Sequence, residues 1–445
     1  MSSTRVVVLG GGIAGLTASR ELQNAGVEVQ LFESGSQVAG LASTHRDPDG
    51  FSFDLGAHFI TNRLAAAVGI SAECRVVRRY GEMVRLDGHF YGYPTGLLAN
   101  PRLLMSAISS RVAGPHGDPD SAQEWFRQEY GRQLADRVAL PLLEAWSGVD
   151  PRELSADVGE KIPGTIAHTL YLRAAAKVTR RAVAIGYCNT QPQSASVFHV
   201  YPRDGVSTVC EALARDLGDS VHLDSPVEAI LADDQSVRAV RVGGTEVEAD
   251  AVVSTAPINR LPSIVEGTDQ LEPFAKLEFR PMILANLKLE GRGLLPDTVT
   301  WFPDERPFFR ATEAPISMPW LAPAGKTTIL CDIGAEVGDP LWTLDDEAIA
   351  GLCRRHLTDV VPDVEHRYIG CHVARTPIAY PVFRRSYDHV RRSLHERGTG
   401  ISGLLSIGRN GGFRHDLMED VYWRTIASVR QWLRASENGR ATIQD

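Results

Sequence analysis

Val6-Val7-Val8-Leu9-Gly10-Gly11-Gly12-Ile13-Ala14-Gly15 is the stretch from which the fold is read. An unbroken apolar run of this kind is the pattern of a strand buried on both faces, and glycines directly after it mark a tight turn. Leu16, Ala18, Ser19, Leu22 and Ala25 then supply a small-residue face at helical spacing, Gly26 ends the helix, and Val27 to Phe32 alternates as a second strand that closes on Glu33. The unit is β-α-β. Within Gly10-x-Gly12-x-x-Gly15, Gly10 permits the turn, Gly12 lets a diphosphate approach the backbone, and Gly15 allows close packing of helix on strand. The helix N-terminus, at Ile13 and Ala14, offers unpaired N–H groups to the anion. Glu33, 18 residues beyond Gly15, is placed to accept hydrogen bonds from a ribose, so the unit predicts a dinucleotide seat.

The chain around this unit has 445 residues, enough for two or three domains. It is 43% hydrophobic and 23% charged, the balance of a folded globular protein. Its 55 acidic residues exceed its 46 basic ones, so no overall positive field gathers nucleic acid, and none is expected as a partner. Cys74, Cys188, Cys210, Cys331, Cys353 and Cys371 are scattered without a C-x-x-C pair, which suggests neither a disulfide framework nor a zinc cluster and fits a cytoplasmic location. The histidines lack metal-site spacing, and no metal is expected. The first apolar run stops at Gly10, too early for a signal peptide, and no run approaches the ~18 residues of a membrane span. Peripheral membrane contact stays open through amphipathic segments such as 97–112, and the oligomeric state stays open as well.

Further along, helical periodicity dominates from about 100 to 195, at 122–130, 134–146 and 166–181. Signals then turn β-rich, with a helix at 208–217, a hairpin around Gly243-Gly244 and a buried strand at Ala251-Val252-Val253-Ser254 stopped by Pro257. Strands at 282–289 and 327–333, a helix near 345–357, a short strand at 404–408 and a last helix to about 433 complete the pattern. The expected fold class is α/β, α+β overall. A Rossmann-like dinucleotide-binding domain (1–75, 196–262 and 396–445) interleaves with a mixed-sheet and helical substrate domain (76–195 and 263–395, with the helical insertion about 100–195).

Other motifs specify the cofactor. Ala39-Gly40-Leu41-Ala42-Ser43-Thr44 is a second glycine turn with hydroxyls, and Phe51-x-Phe53-Asp54-Leu55-Gly56-Ala57-His58-Phe59 follows it. Here the sequence resembles the flavoprotein superfamily of amine oxidases, protoporphyrinogen oxidases, phytoene desaturases and UDP-galactopyranose mutases. The resemblance implies FAD, with the turn at Gly40, Leu41, Ala42 and Ser43 along its phosphates and ribityl chain and with Gly56, Ala57 and His58 bordering the isoalloxazine. It also implies that Val227, in Asp224-Ser225-Pro226-Val227-Glu228, meets the adenine by its backbone. Gly408-Arg409-Asn410-Gly411-Gly412-Phe413 and Leu417-Met418-Glu419 resemble the C-terminal flavin motif, whose helix N-terminus faces the N1/O2 edge of the flavin. Two departures are visible. Leu41 stands where many amine oxidases carry arginine, and Glu419 where the motif has aspartate.

Traces of two branches occur in the middle of the chain. The segment 125–156 looks similar to protoporphyrinogen oxidases, whereas Phe309-Arg310-Ala311-Thr312-Glu313 and Ala379-Tyr380-Pro381-Val382 look like galactopyranose mutase segments, in which the matching arginine lies near the active site. His58 and Arg310 are the candidate catalytic residues; a hydrogen-bonded core histidine and a buried ion pair are the plain alternatives. Arg310, Tyr380 and Trp301 are the candidate substrate contacts, with Tyr201 a further candidate wall and core packing the alternative for all these aromatics. Arg409 is expected on the FAD diphosphate, or in a salt bridge. Arg75, Arg78 and Arg79 are expected on a solvated surface. No Gly-x-Ser-x-Gly turn supports a hydrolase. The resulting expectation is an FAD-dependent oxidase or dehydrogenase that takes a hydride from a small organic substrate to flavin N5, with oxygen or another acceptor reoxidising the flavin. The alternative is a redox-neutral mutase-like isomerase, and a third reading is a flavin-binding scaffold without turnover.

Overall fold

The computed structural model describes residues 4–93, 95–113, 117–161 and 166–437; the expected FAD-binding segments run beyond these limits at 1–3 and 438–445. The opening run forms the strand Arg5–Leu9, the glycine turn leads into the helix Ile13–Asn24, and Glu28–Phe32 follows as a strand. These strands lie in a five-stranded parallel sheet whose order is Val221–His222, Glu28–Phe32, Arg5–Leu9, Ala251–Ser254 and Leu404–Ser406. Its strands therefore come from chain segments hundreds of residues apart. The pairing Val252↔Leu404 beside Val7↔Val252 sets the last strand next but one to the first.

Val6 to Leu9 and Ala251 to Val253, the central strands of this sheet, are apolar because both faces are covered. Val6, Val8 and Leu31 pack under the helices Ile13–Asn24, Thr208–Leu217 and Met418–Glu437, while Val7, Leu9 and Val252 pack against Ile230, Val237 and Val240. The latter residues belong to a smaller sheet ordered Thr245–Glu248, Val237–Val242, Val227–Ala232 and Val265–Glu266. Gly243 and Gly244, at φ +56° and +73°, make the two-residue turn of its hairpin, a conformation that most side chains disfavour.

A second large sheet has seven strands in the order Tyr368–Val382, Glu278–Glu290, Lys326–Gly334, Arg310–Thr312, Val299–Trp301, Glu82–Leu86 and His89–Gly92. Strand alternation gives it two unlike faces. Ile283, Ala285, Ile329, Cys331 and Ile333 are packed under the helix Asp346–Leu357. On the other face the register Trp301↔Arg310↔Asp332 and Val299↔Thr312↔Leu330↔Asn286 aligns polar side chains among apolar ones. The hairpin formed by Thr44–Arg46 and Ser52–Asp54 is tied to this sheet by Lys288, whose Nζ lies 3.0 Å from Asp47 and 3.1 Å from Asp49, and by the stacked rings of His45 and His372.

Helices fill the expected insertion, at Pro101–Ala113, Ala122–Tyr130, Leu140–Ser147 and Ile166–Thr179. The helix expected over 134–146 contains a π-turn at Ala135–Ala139, for which Pro141 gives a local reason: it has no N–H to return to the carbonyl of Arg137, so the regular ladder is interrupted there. Among the described residues no helix is long and apolar enough to cross a membrane.

Candidate functional site

The glycine turn is shaped for two purposes. Gly10 has φ +99°, and a Cβ there would lie 2.3 Å from Thr255 Oγ1; a Cβ at Gly15 would lie 1.9 Å from the carbonyl O of Gly10. Those positions are closed by the protein itself. At Gly12 an added Cβ meets nothing within 4 Å, and at Gly40 it meets only Gly12 Cα, at 3.7 Å. The space over the helix N-terminus is thus bordered by two glycines. Gly12 caps the helix Ile13–Asn24 without a side-chain hydrogen bond, and no acidic residue stands in the first turn, so its amides are free for an anion.

Neighbouring segments build outward from that space. Ala39 N donates to Gly11 O at 2.9 Å, which seats the turn of Gly40, Leu41, Ala42 and Ser43 against the first turn. Glu33 accepts from Gly11 N at 2.6 Å and Gly35 N at 2.7 Å, fixing its carboxylate at the rim. Ser225 N donates to Glu33 O at 2.9 Å, which sets the start of the Val227–Ala232 strand beside it. From the far end of the chain, Gly408 (φ +81°) abuts the first helix, a Cβ there coming within 2.8 Å of Ala14 Cβ. Leu417 and Met418 open the closing helix. Glu419 is turned into the protein, accepting from Thr61 Oγ1 at 2.8 Å, Arg63 Nε at 2.6 Å and Trp423 Nε1 at 3.1 Å. Its extra methylene relative to aspartate thus serves an internal tie.

Gly56 (φ +99°), Ala57 and His58 border a cleft closed on its other side by Asn286, Thr312 and Leu330 of the seven-stranded sheet. His58 Nε2 lies 2.9 Å from Leu55 O and donates to it. Burial lowers the His58 pKa, more than Asp54 and the Leu55 carbonyl raise it, and the nearby Arg409 and Arg310 add to the fall, so the ring is neutral. Arg409 rests over the Tyr380 ring, 4.4 Å from its centroid. Its Nε is buried without a partner, as is Asn410 Oδ1, and no carboxylate pairs with this guanidinium among the described residues.

Arg310 Nε donates to Asp332 Oδ2 at 2.7 Å, and its guanidinium carbon lies 5.1 Å from the Trp301 ring centroid. Burial works against its charge, and Asp332 together with Tyr380 and Tyr80 more than offsets that, raising its pKa above the ordinary value. The alternative of a buried ion pair is therefore present, yet the Nη atoms have no partner among the described residues. Trp301 Nε1 donates to Glu82 Oε2 at 2.8 Å, Tyr80 donates to Glu82 Oε1, and Tyr187 donates to Tyr80 at 3.1 Å. Burial, and next the charge of Glu82, push both tyrosine pKa values up, so both remain neutral donors. Sequence reasoning missed Tyr80, Glu82, Tyr187 and Asp332. A signal for one existed, since Glu82 alternates with Val84 and Leu86 on a strand.

Other expectations fall elsewhere. Tyr201 is fully buried with its hydroxyl on Asp54, so it ties the hairpin rather than walling a cavity. Tyr380 lies edge-on to Trp146, with ring centroids 5.2 Å apart. Arg75 lies over Trp320, and Arg79 is 3.3 Å from Asp297.

A parallel nucleotide-binding sheet and a polar-faced second sheet, with a glycine-bordered anion space and a cleft bordered by a neutral histidine, define an FAD-dependent oxidoreductase. The family model for flavin containing amine oxidoreductase matches residues 13–408, and the chain belongs to that family. It is 22% identical to protoporphyrinogen oxidase 2, chloroplastic/mitochondrial, of Arabidopsis thaliana, over 93% of this chain and 91% of that protein. It is 27% identical to the zeta-carotene-forming phytoene desaturase of Myxococcus xanthus over 57% of this chain, spanning about half of that relative (53%). Among solved structures, reduced UDP-galactopyranose mutase aligns with a TM-score of 0.77 at 18% identity, covering 97% of this chain and 96% of that one, and putrescine oxidase with 0.66 at 16%, covering 96% and 99%. The latter two likenesses concern the fold. The residues present fit FAD: the space at Gly12 and Gly40 admits a diphosphate, and Arg409 and Asn410 carry buried polar atoms that lack a protein partner.

Proposed function

We propose that the protein oxidises a small organic substrate, with oxygen or another acceptor completing the cycle. FAD, when bound, would supply a two-electron acceptor for the hydride. The amides of Ile13, Ala14 and Gly15, between Gly12 and Gly40, would hold the diphosphate, Glu33 would receive the ribose hydroxyls, and the Val227 backbone would meet the adenine. Leu41, Ala42 and Ser43 would follow the ribityl chain, while Gly56, Ala57 and His58 would border the ring system and the amides at Leu417 and Met418 would face its pyrimidine edge. In this reading the parallel-sheet unit carries the cofactor and the seven-stranded sheet carries the substrate. A compartment that keeps thiols reduced suits the six free cysteines.

The observation that carries the proposal is the meeting of the two chain ends, Gly408 on Ala14, beside the open space at Gly12. Arg310, Trp301 and Tyr380 position the donor and exclude water from it, and neutral His58 holds its proton at Nε2 on Leu55 O. Arg409 neutralises negative charge, either that of the diphosphate or that developing during transfer. The test is an absorption spectrum of the purified protein followed by anaerobic titration with amine, alcohol, porphyrinogen and polyene donors. Substrate-dependent bleaching that oxygen reverses is the expected result; a colourless folded protein that ignores added FAD overturns it.

One observation favours a second reading. Arg310 and Arg409 both lie near His58, with Tyr380 under Arg409, an arrangement suited to an anionic substrate as in a redox-neutral isomerase. Turnover that requires prior reduction and consumes no acceptor would favour it.

A further inference from the structure

We propose that Tyr187, Tyr80 and Glu82 form a proton relay that carries the proton of an O–H or N–H donor out of the cleft; the relay serves the oxidation proposed for this cleft and rests on it. Val299 is in register with both Glu82 and Thr312, and Trp301 with both Val84 and Arg310. Residues in register share a face, so Glu82 stands on the same side of the seven-stranded sheet as Arg310, Asp332 and Thr312, the side turned to the cleft. Glu82 is half-buried, and no lysine, arginine or histidine pairs with it among the described residues. Its partners are neutral donors, Trp301 Nε1 at 2.8 Å and the Tyr80 hydroxyl. Tyr80 in turn accepts from the Tyr187 hydroxyl at 3.1 Å. Each hydroxyl in the series thus donates toward Glu82, and the Tyr187 oxygen keeps its acceptor side open. The series reaches the cleft: Arg310 lies close enough to both tyrosines for their charges to interact, and Phe59, next after His58, packs edge-on to Tyr80 with ring centroids 4.5 Å apart.

The other titratable groups around the cleft are unsuited to this task. Arg310 and Arg409 have no acceptor atom. His58 has its Nε2 proton on Leu55 O, and burial disfavours its cation. Asp332 is held by Arg310, and Asp54 by Thr44 Oγ1, Tyr201 and Val206 N. In a donor H–C–X–H, with X oxygen or nitrogen, the carbon-bound hydrogen leaves with both bond electrons for FAD, and the X–H bond breaks with its electron pair forming the C=X bond. The X–H proton passes to Tyr187 Oη, the Tyr187 proton to Tyr80 Oη, and the Tyr80 proton to Glu82 Oε1, which releases it to water. The donor is oxidised by two electrons, FAD is reduced by two, and the three side chains return to their starting protonation.

The experiment follows anaerobic bleaching of the FAD-loaded full chain by benzyl alcohol, benzylamine or protoporphyrinogen. E82Q, Y80F and Y187F should each lower the limiting rate at saturating donor by about a hundredfold or more, the usual span of general acid–base catalysis, with flavin absorbance and thermal midpoint kept at wild-type values. The wild-type rate should fall in heavy water, and that isotope effect should be absent from Y80F. Added formate should restore much of the rate in E82A but not in Y80F, because it replaces the missing carboxylate and not the missing hydroxyl. Wild-type rates in E82Q and Y80F overturn the relay and leave the oxidation reading standing. Losses that formate does not restore, accompanied by a lowered thermal midpoint, assign Glu82 to structure alone and overturn it as well. If none of the three donors bleaches the wild type, the oxidation reading fails for O–H and N–H donors and the relay falls with it.

Discussion

Gly408, which follows the last strand of the parallel sheet, is packed against Ala14 in the first turn of the first helix, so closely that a Cβ at 408 would lie 2.8 Å from the Ala14 methyl. The two residues are 394 positions apart in the sequence. Their contact brings the opening amides of the first helix and the segment that leads into the closing helix to one place.

Gly12 and Gly15 separate cofactor seating from folding. Gly12→Val projects into open space, so the apoprotein should keep its thermal midpoint within a few degrees while the purified protein loses most of its FAD. Gly15→Val instead collides with the Gly10 carbonyl and should impair folding itself. Glu33→Ala should reduce retention less than Gly12→Val. Flavin absorbance per mole of protein, read beside a melting curve, distinguishes these; full occupancy in Gly12→Val would count heavily against the seat.

Asp332 is 1% exposed and Arg310 14%, so removing one partner strands a buried charge. Asp332→Asn should cost roughly 3–5 kcal/mol in urea unfolding, the usual penalty for breaking a buried pair. The double change Arg310→Met/Asp332→Leu should recover much of that while weakening substrate affinity at least tenfold. If the double variant keeps wild-type KM, Arg310 does not touch the substrate.

The His45 and His372 rings stack 4.3 Å apart at 3° where the hairpin meets the second sheet. Burial, and next His45 itself, lower the His372 pKa; Asp346 and Asp47 raise it and Lys288 lowers it further. A lowered folded pKa means that the unfolded chain binds more protons below about pH 6.5, so stability is present above that pH and is lost as pH falls. The thermal midpoint should drop between pH 7 and pH 5, and the drop should shrink in His372→Phe. An equal drop in both proteins would remove this pair as a cause.

Neutral His58 yields a spectroscopic prediction. Because burial depresses its pKa, its imidazole NMR shifts should stay flat from pH 8 to pH 6, where an ordinary histidine would titrate. A midpoint near 6.5 assigned to His58 would show that the cleft is wetter than described.

Local patterns carry their own geometry, which is why the first strand, turn and helix, the Thr208–Leu217 helix and the Gly243-Gly244 hairpin could be read directly from residue order. The Glu82, Tyr80 and Tyr187 network could not. It joins residues 107 positions apart, and each is an unremarkable strand or loop residue until the sheet aligns Val299 with Glu82 and Trp301 with Arg310. Likewise, whether Arg310 had a partner depended on the register Arg310↔Asp332.

By itself, then, the sequence determined the β-α-β opening, the glycine turn within it, and the acid that follows the second strand, since turn sterics and strand and helix periodicity act between near neighbours. Only the tertiary structure decided that Gly408 closes on Ala14, that Arg310 is held by Asp332, and that Arg409 lies over Tyr380 near His58. Those relationships come from sheet register and burial, which join distant segments and leave no periodic trace along the chain.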